Sequence, residues 1–258
     1  LNLTKRLYDG VKVLRHENVL VLNASHGLLL YPLMKMNPEG YSVAQVRTTE
    51  QKGIIDHFSS ELEEILRPEI LVGTPMESLL GLEEGLLFSV ISGRNVLSRL
   101  SQDKDILSVM KDRLEKDGCI TLLESIPSLS SRLSDFVDGD TKEKLLLSEG
   151  RVYCASNSLT NWGKTELEET LKEVFPEVSV EYEEFSEKRL VLPEAAEHWF
   201  ENSYQDSGLT KGEFMEAFAG KTFLWRNTVA IVKTNRDFHR IETSPEWAEV
   251  HKRVHGEA

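Results

Sequence analysis

The run Leu20-Val21-Leu22-Asn23-Ala24-Ser25-His26-Gly27-Leu28 joins an apolar strand to a helical stretch through a short polar turn. At the carboxyl end of a parallel strand, such a junction can hold a nucleotide or a phosphate against backbone N–H groups and a helix start. Loops of that kind rely on several glycines so that backbone approaches the ligand closely. Here Gly27 alone remains. Polar and cationic groups stand in this turn and at later strand ends. Arg47 can bind an anion such as a phosphate, or pair on the surface with Glu50 or another acid. His26 can act as a general base or stand solvated in its loop. Arg94-Asn95 can meet a substrate after the fourth strand, or Asn95 can cap the next helix.

The elements that must position these groups alternate. Val19–Leu22, Tyr41–Val46, Ile70–Val72, Leu86–Ser92 and Cys119–Leu123 read as five apolar strands. Between them, helical periodicity predicts helices over Leu28–Met36, Thr49–Leu66 and Asp103–Lys116. The turn Asn37-Pro38-Glu39-Gly40 closes the first of these and Asp117-Gly118 closes the third. Strands and helices in this order predict right-handed βαβ crossovers and a parallel sheet. The second half reads as a mostly helical stretch over Leu129–Leu147, a helix over Asn161–Phe175 capped by Thr160 or Asn161, and a half-exposed strand over Val178–Phe185. Short helices over Ala195–Tyr204 and Lys211–Phe218 precede a last strand, Thr222–Lys233. The fold expected is α/β: seven strands, mostly parallel, with an antiparallel C-terminal edge and a helical insertion between strands five and six.

Composition bounds the function. The chain has 258 residues, 40% of them hydrophobic, and a formal net charge of −13. Such a chain buries a sizeable core, and its acidity opposes direct nucleic-acid binding. Two cysteines, Cys119 and Cys154, offer no zinc or disulfide framework, and Cys119 reads as a buried core thiol. No apolar run is long enough to span a membrane and no signal peptide is visible, so a reducing cytoplasm is expected. The first residue is Leu1 rather than Met, which leads to the expectation of a piece of a longer chain. His251 and His255, four apart, are a metal pair without a third ligand, so no metal site is expected. Trp162, Trp199 and Trp225 are expected to pack the helical insertion onto the sheet, and Glu181–Glu187 to form a solvated strand edge.

With these residues in order, the chain resembles the class I S-adenosylmethionine-dependent methyltransferases over about residues 15–127. Leu20–Leu29 resembles the first loop, Val43–Glu50 the end of strand two, Ile70–Leu79 the third strand and adenine-contacting turn, and Phe88–Leu97 strand four and its loop. Leu107–Leu123 resembles the helix, glycine turn and fifth strand. The resemblance implies a three-layer Rossmann-like methyltransferase fold, with the first five strands in spatial order 3-2-1-4-5 and the last strand antiparallel beside the fifth, and a cofactor crevice formed by Asn23, Ala24, Ser25, Gly27, Arg47, Thr74, Pro75, Met76, Gly93, Arg94 and Asn95. It also exposes departures. The acid of the first strand falls on Val21, loop glycines on Asn23 and Ser25, the ribose-accepting acid on Arg47, the adenine-contacting polar residue on Thr74, and the acid opening strand four on Ser89. The expectation is that S-adenosylmethionine binding is lost, with no catalytic residue assigned. No Asp/Asn-Pro-Pro-Tyr sequence follows strand four, so methylation of an adenine or glutamine amino group has no support.

A narrower resemblance rests on Asn23-Ala24, Pro38-Glu39-Gly40, Gly93–Leu97, Asn161-Trp162, Trp199-Phe200 and Leu224-Trp225-Arg226. These are similar to a methyltransferase-like domain fused behind a replication-associated recombination AAA ATPase. That resemblance implies a non-catalytic C-terminal module with the ATPase, and a further protein, as partners. The alternative is an active methyltransferase on an unknown substrate. The expected layout is one methyltransferase-like domain over residues 1–258, with core 15–127 and 178–233, helical elements 128–177 and 194–220, and a tail 235–258.

Overall fold

The computed structural model describes residues 2–154, 160 and 162–234. Its sheet has seven strands: β1 (Val19–Leu22), β2 (Ser42–Val46), β3 (Glu69–Val72), β4 (Phe88–Arg94), β5 (Leu114–Ser125), β6 (Val178–Leu190) and β7 (Thr222–Thr234). They lie in the spatial order β3-β2-β1-β4-β5-β7-β6. The first five pair in parallel, and β7 pairs antiparallel with both β5 and β6. The expected topology is therefore present, including the last strand antiparallel beside the fifth. Strand order reverses between β1 and β4, where Leu22 pairs with Gly93.

Each central strand is buried on both faces, so its alternation sorts side chains between two cores rather than between core and water. Leu20 and Leu22 of β1 face one apolar cluster, while Val19 and Val21 face the other. The first cluster is closed by α4 (Pro75–Gly81), α5 (Leu100–Asp112) and α7 (Lys164–Val174) through Leu79, Leu107 and Leu171. The second is closed by α1 (Asn2–Tyr8), α2 (Leu30–Met36) and α3 (Thr49–Ser59) through Leu7, Leu33 and Ile55. Cys119 is buried in this second cluster, as expected.

The hairpin β6–β7 is longer than the sheet it joins. Its far end is covered by a third cluster from α6 (Gly139–Val152), α8 (Pro193–Trp199) and α9 (Lys211–Phe218). Phe214 sits at its centre, with ring centroids 4.9 Å from Phe218 and 5.4 Å from Phe200 and Tyr204. Trp199 and Trp225 stack on this cluster at 5.9 Å, whereas Trp162 is buried in the first cluster against the sheet. The helical material thus falls in two places: between β5 and β6, and inside the β6–β7 hairpin. The acidic strand β6 is an edge, and Glu181 and Glu183 both accept from Arg6 of α1.

Several boundaries differ from the sequence expectation, among them the half-exposed strand, which runs to Leu190 rather than Phe185, and the mostly helical stretch expected over Leu129–Leu147, whose α-helix spans Gly139–Val152. The helix expected to run to Leu66 ends at Ser59, because the hydroxyls of Ser59 and Ser60 turn back onto the carbonyls of Ile55 and His57. The helix expected to reach Lys116 ends at Asp112. Arg113 caps the carbonyls of Leu82 and Glu83 with its guanidinium, and Leu114 already belongs to β5. Asp117-Gly118, expected as a turn, lies inside β5 at a register shift against β4. A side chain at Gly118 would collide with the carbonyl oxygen of Phe88. Helix α7 starts at Lys164 with Gly163 as its N-cap, and the hydroxyl of Thr160 instead donates to the Val152 carbonyl at 2.6 Å. Asn161, His251 and His255 lie outside the described residues. Phe214→Ala should lower unfolding free energy by about 3–5 kcal/mol, measured by chemical denaturation, because the emptied ring site is walled by other rings.

Candidate functional site

The loops after β1, β2, β3 and β4 meet above the reversal of strand order and enclose a cavity of about 840 Å³. Nine of the eleven expected site residues line it: Asn23, Ala24, Ser25, Arg47, Thr74, Pro75, Met76, Arg94 and Asn95. Gly27 and Gly93 stand behind the wall instead. A side chain at Gly27 would run into the Tyr31 ring, and one at Gly93 into Val96, Leu122 and Leu22. Gly27 is required by its φ of 72° as well as by the Tyr31 ring, and Gly93 by the closeness of Val96. Ser89 is far from this loop cluster by register. It opens β4, is fully buried, and donates to the Asn18 carbonyl at 2.9 Å.

Asn23 organises the loops. Its backbone N–H donates to the Gln45 side chain at 2.8 Å. Its side-chain amide donates to the carbonyls of Arg94 at 3.0 Å and Asn95 at 3.1 Å. Its side-chain oxygen accepts from Arg47 Nε at 3.0 Å. Gln45 in turn donates to the Gly73 carbonyl at 2.6 Å. One side chain at the end of β1, with one at the buried end of β2, therefore ties four strand ends together. Arg47 bonds to Asn23, not to Glu50, and makes no ion pair among the described residues.

The backbone here is strained. Among the described residues, the non-glycine positions with positive φ are Asn23 at 51°, Ser25 at 29° and Asn95 at 50°, and all three line the cavity. That conformation costs a side-chain-bearing residue about 1–2 kcal/mol, less for Asn. Such outliers gather where function or tight geometry over-determines the chain. Asn95 caps no helix. Its side-chain oxygen accepts from Ser125 N–H at 3.0 Å and its own N–H donates to Leu123, which binds the β4 loop to β5.

Sequence reasoning missed Glu124. Its carboxylate is fully buried and accepts from the N–H groups of Val96 at 2.8 Å and Leu97 at 3.2 Å. Burial pushes this carboxyl up to about 8, and the charge of Asp103 adds to the rise, while the two N–H groups oppose it. A glutamate at the end of an apolar run, one residue from the end of β5, is the signal that marks it. Arg99, Asp103 and Ile106 also line the cavity and belong to no expected motif. Thr74 does line it, but its hydroxyl donates to Glu77 at 2.7 Å and accepts from Glu77 N–H, as the cap of α4.

Comparison with known proteins adds the fold. Neither a protein-family model nor a curated relative matches the chain. Solved structures do. A candidate methyltransferase from Bacillus halodurans C-125 superposes with a TM-score of 0.53 at 14% identity, covering 89% of this chain and 96% of that one. The YcgJ protein from Bacillus subtilis superposes with a TM-score of 0.53 at 11% identity, covering 92% of this chain and 99% of that one. The fold is the Rossmann-like methyltransferase fold. Among the described residues, no helix is long and apolar enough to cross a membrane, and no cluster of His, Cys, Asp or Glu is arranged to hold a metal.

Two outcomes follow from this geometry. Asn23→Ala should destabilise the chain more than Asn23→Gly, by about 1 kcal/mol, since both lose the side-chain bonds but only alanine keeps the left-handed strain. Paired chemical-denaturation curves measure the difference. The second concerns pH. The folded chain holds the Glu124 proton more tightly than the unfolded chain, whose carboxyl titrates near 4.5. Stability from this group is therefore full below about 4.5 and is lost as pH rises toward about 8. The stability of wild type relative to Glu124→Gln should fall across that window by an amount on the order of a few kcal/mol, read as the pH dependence of the two melting curves.

Proposed function

We propose that the chain is a methyltransferase-like module whose cofactor crevice no longer suits S-adenosylmethionine, and that it serves as a non-catalytic C-terminal module of a DNA replication and recombination AAA ATPase. The observation that carries the first half is the chemistry of the crevice wall. The ribose hydroxyls of that cofactor need acceptors, and Arg47 offers only donors. Val21, in place of the loop-orienting acid, is fully buried among apolar neighbours and presents no carboxylate. The Thr74 hydroxyl is already engaged with Glu77. Arg47, Arg94 and Arg99 add positive charge to the wall of a crevice that would have to hold a sulfonium cation. Each unmet hydrogen bond to a buried polar group costs about 1–3 kcal/mol. Two or three such losses weaken binding by a factor on the order of 10² to 10⁴.

The second half rests on the motif resemblance from Asn23-Ala24 to Leu224-Trp225-Arg226. A protein partner and no direct nucleic-acid contact agree with the charge of −13. The rival reading is an active S-adenosylmethionine-dependent methyltransferase on an unknown substrate. The fold and a cavity at the reversal of strand order favour it.

Calorimetric titration with S-adenosylmethionine and S-adenosylhomocysteine separates the two. The expected outcome is binding too weak to saturate below the millimolar range, and a dissociation constant in the low micromolar range would establish the rival. The ATPase, expressed separately, should be retained by the immobilised chain in a pull-down. The same amount should be retained by Arg47→Asp, because that side chain faces the cavity.

A further inference from the structure

The cavity carries a charge opposite to that of the chain. Against a net charge of −13, its wall presents Arg47, Arg94 and Arg99 and a single carboxylate, Asp103. Asp103 is engaged from below, accepting from the Arg99 N–H at 2.8 Å. Acids are abundant on this surface, and other arginines find them: Arg15 pairs with Glu39, Arg151 with Asp206 and Arg189 with Glu187. Among the described residues, the three cavity arginines pair with none. Like charges gathered on one concave wall repel each other, and a concave low-dielectric wall focuses their field on whatever enters.

Arg47 is also aimed. Its Nε is spent on Asn23, which fixes the plane of the guanidinium and leaves the terminal nitrogens for a ligand. A held fork of this kind matches the oxygens of a phosphate in two parallel bonds. Arg94 and Arg99 come from the loop between β4 and α5, and that loop is clamped from beneath by Glu124 through Val96 and Leu97. The cationic wall is therefore built on restrained backbone. Another part of the wall is apolar: Leu28, Pro75, Met76 and Ile106. A volume of about 840 Å³ admits a ligand much larger than a single phosphate.

We infer that the crevice binds an organic polyanion of the nucleoside diphosphate or triphosphate class, its phosphates on Arg47, Arg94 and Arg99 and its ring body on the apolar wall. This rests on the reading that the crevice no longer serves S-adenosylmethionine.

The test is calorimetric titration of the chain with ADP, adenosine, pyrophosphate and S-adenosylmethionine, at low and at moderate salt. ADP should bind, more weakly as salt rises, because the contacts are ionic. Adenosine should bind at least tenfold more weakly than ADP, since it lacks the charged end. Arg94→Gln combined with Arg99→Gln should weaken ADP at least tenfold, while circular dichroism and melting temperature stay unchanged. Both side chains are exposed, so the fold does not depend on them. Arg94→Lys with Arg99→Lys, which keeps the charge, should retain more ADP binding than the glutamine pair. Adenosine binding as tightly as ADP would overturn the anion assignment. Pyrophosphate binding as tightly as ADP would overturn the ring contact and leave a simple phosphate site. Absence of binding by both ADP and pyrophosphate would overturn the inference while leaving the lost-cofactor reading intact. Low-micromolar binding of S-adenosylmethionine would instead sink that underlying reading, whatever ADP does.

Discussion

The architecture above the sheet depends on one side chain, Asn23. Four strand ends converge where strand order reverses; backbone bonds link Ala24 to Gln45 and Gly73 to Val46, and side chains must supply the remaining ties. Asn23 supplies those bonds with its amide, its oxygen and its backbone N–H. The cost is a left-handed backbone at a non-glycine residue, which Asn tolerates better than most. A glycine there would relieve the strain and open space for a ligand, but it would leave the loops after β2 and β4 without their bridge. The crevice is thus held in shape by a protein group standing where close backbone approach would otherwise be possible.

The floor of the crevice repeats the same logic with a buried carboxyl. The N–H groups of Val96 and Leu97 need acceptors at a point where the chain leaves β4 and no strand is available. Glu124 answers both from β5. Placing a carboxyl in that interior costs free energy unless it is paired or protonated, and its raised proton affinity records the compromise. Asn95 adds a third tie to the same strand through Ser125. The loop that carries Arg94 and Arg99 is for these reasons a rigid platform rather than a free segment.

The third apolar cluster lies beyond the carboxyl end of β5, and none of its residues lines the crevice. It exists because β6 and β7 run past the rest of the sheet, and their far ends, including Phe223 and Trp225, need cover. Helices α6, α8 and α9 provide it with a chain of stacked rings.

The strands were legible in the sequence because each central one is a continuous apolar run, and a run buried on both faces has no polar interruption to blur its ends. The order β3-β2-β1-β4-β5 followed from right-handed crossovers together with the family resemblance, and most of the cavity wall followed because loops at the carboxyl ends of parallel strands share one edge. Three things were not legible. The helix end at Ser59 turns on serine hydroxyls bonding the preceding turn, which periodicity does not record, and the end at Asp112 on the pairing of Leu114 with Phe88, which only the assembled sheet provides. The role of Asn95 was decided by Ser125, a residue distant in sequence and adjacent only once β4 and β5 pair. The union of Arg47, Arg94 and Arg99 on one wall was decided by the reversal of strand order between β1 and β4, which brings the loop after β2 and the loop after β4 to the same crevice. Periodicity records which face of an element is buried; only the packed sheet determines which loop ends face one another.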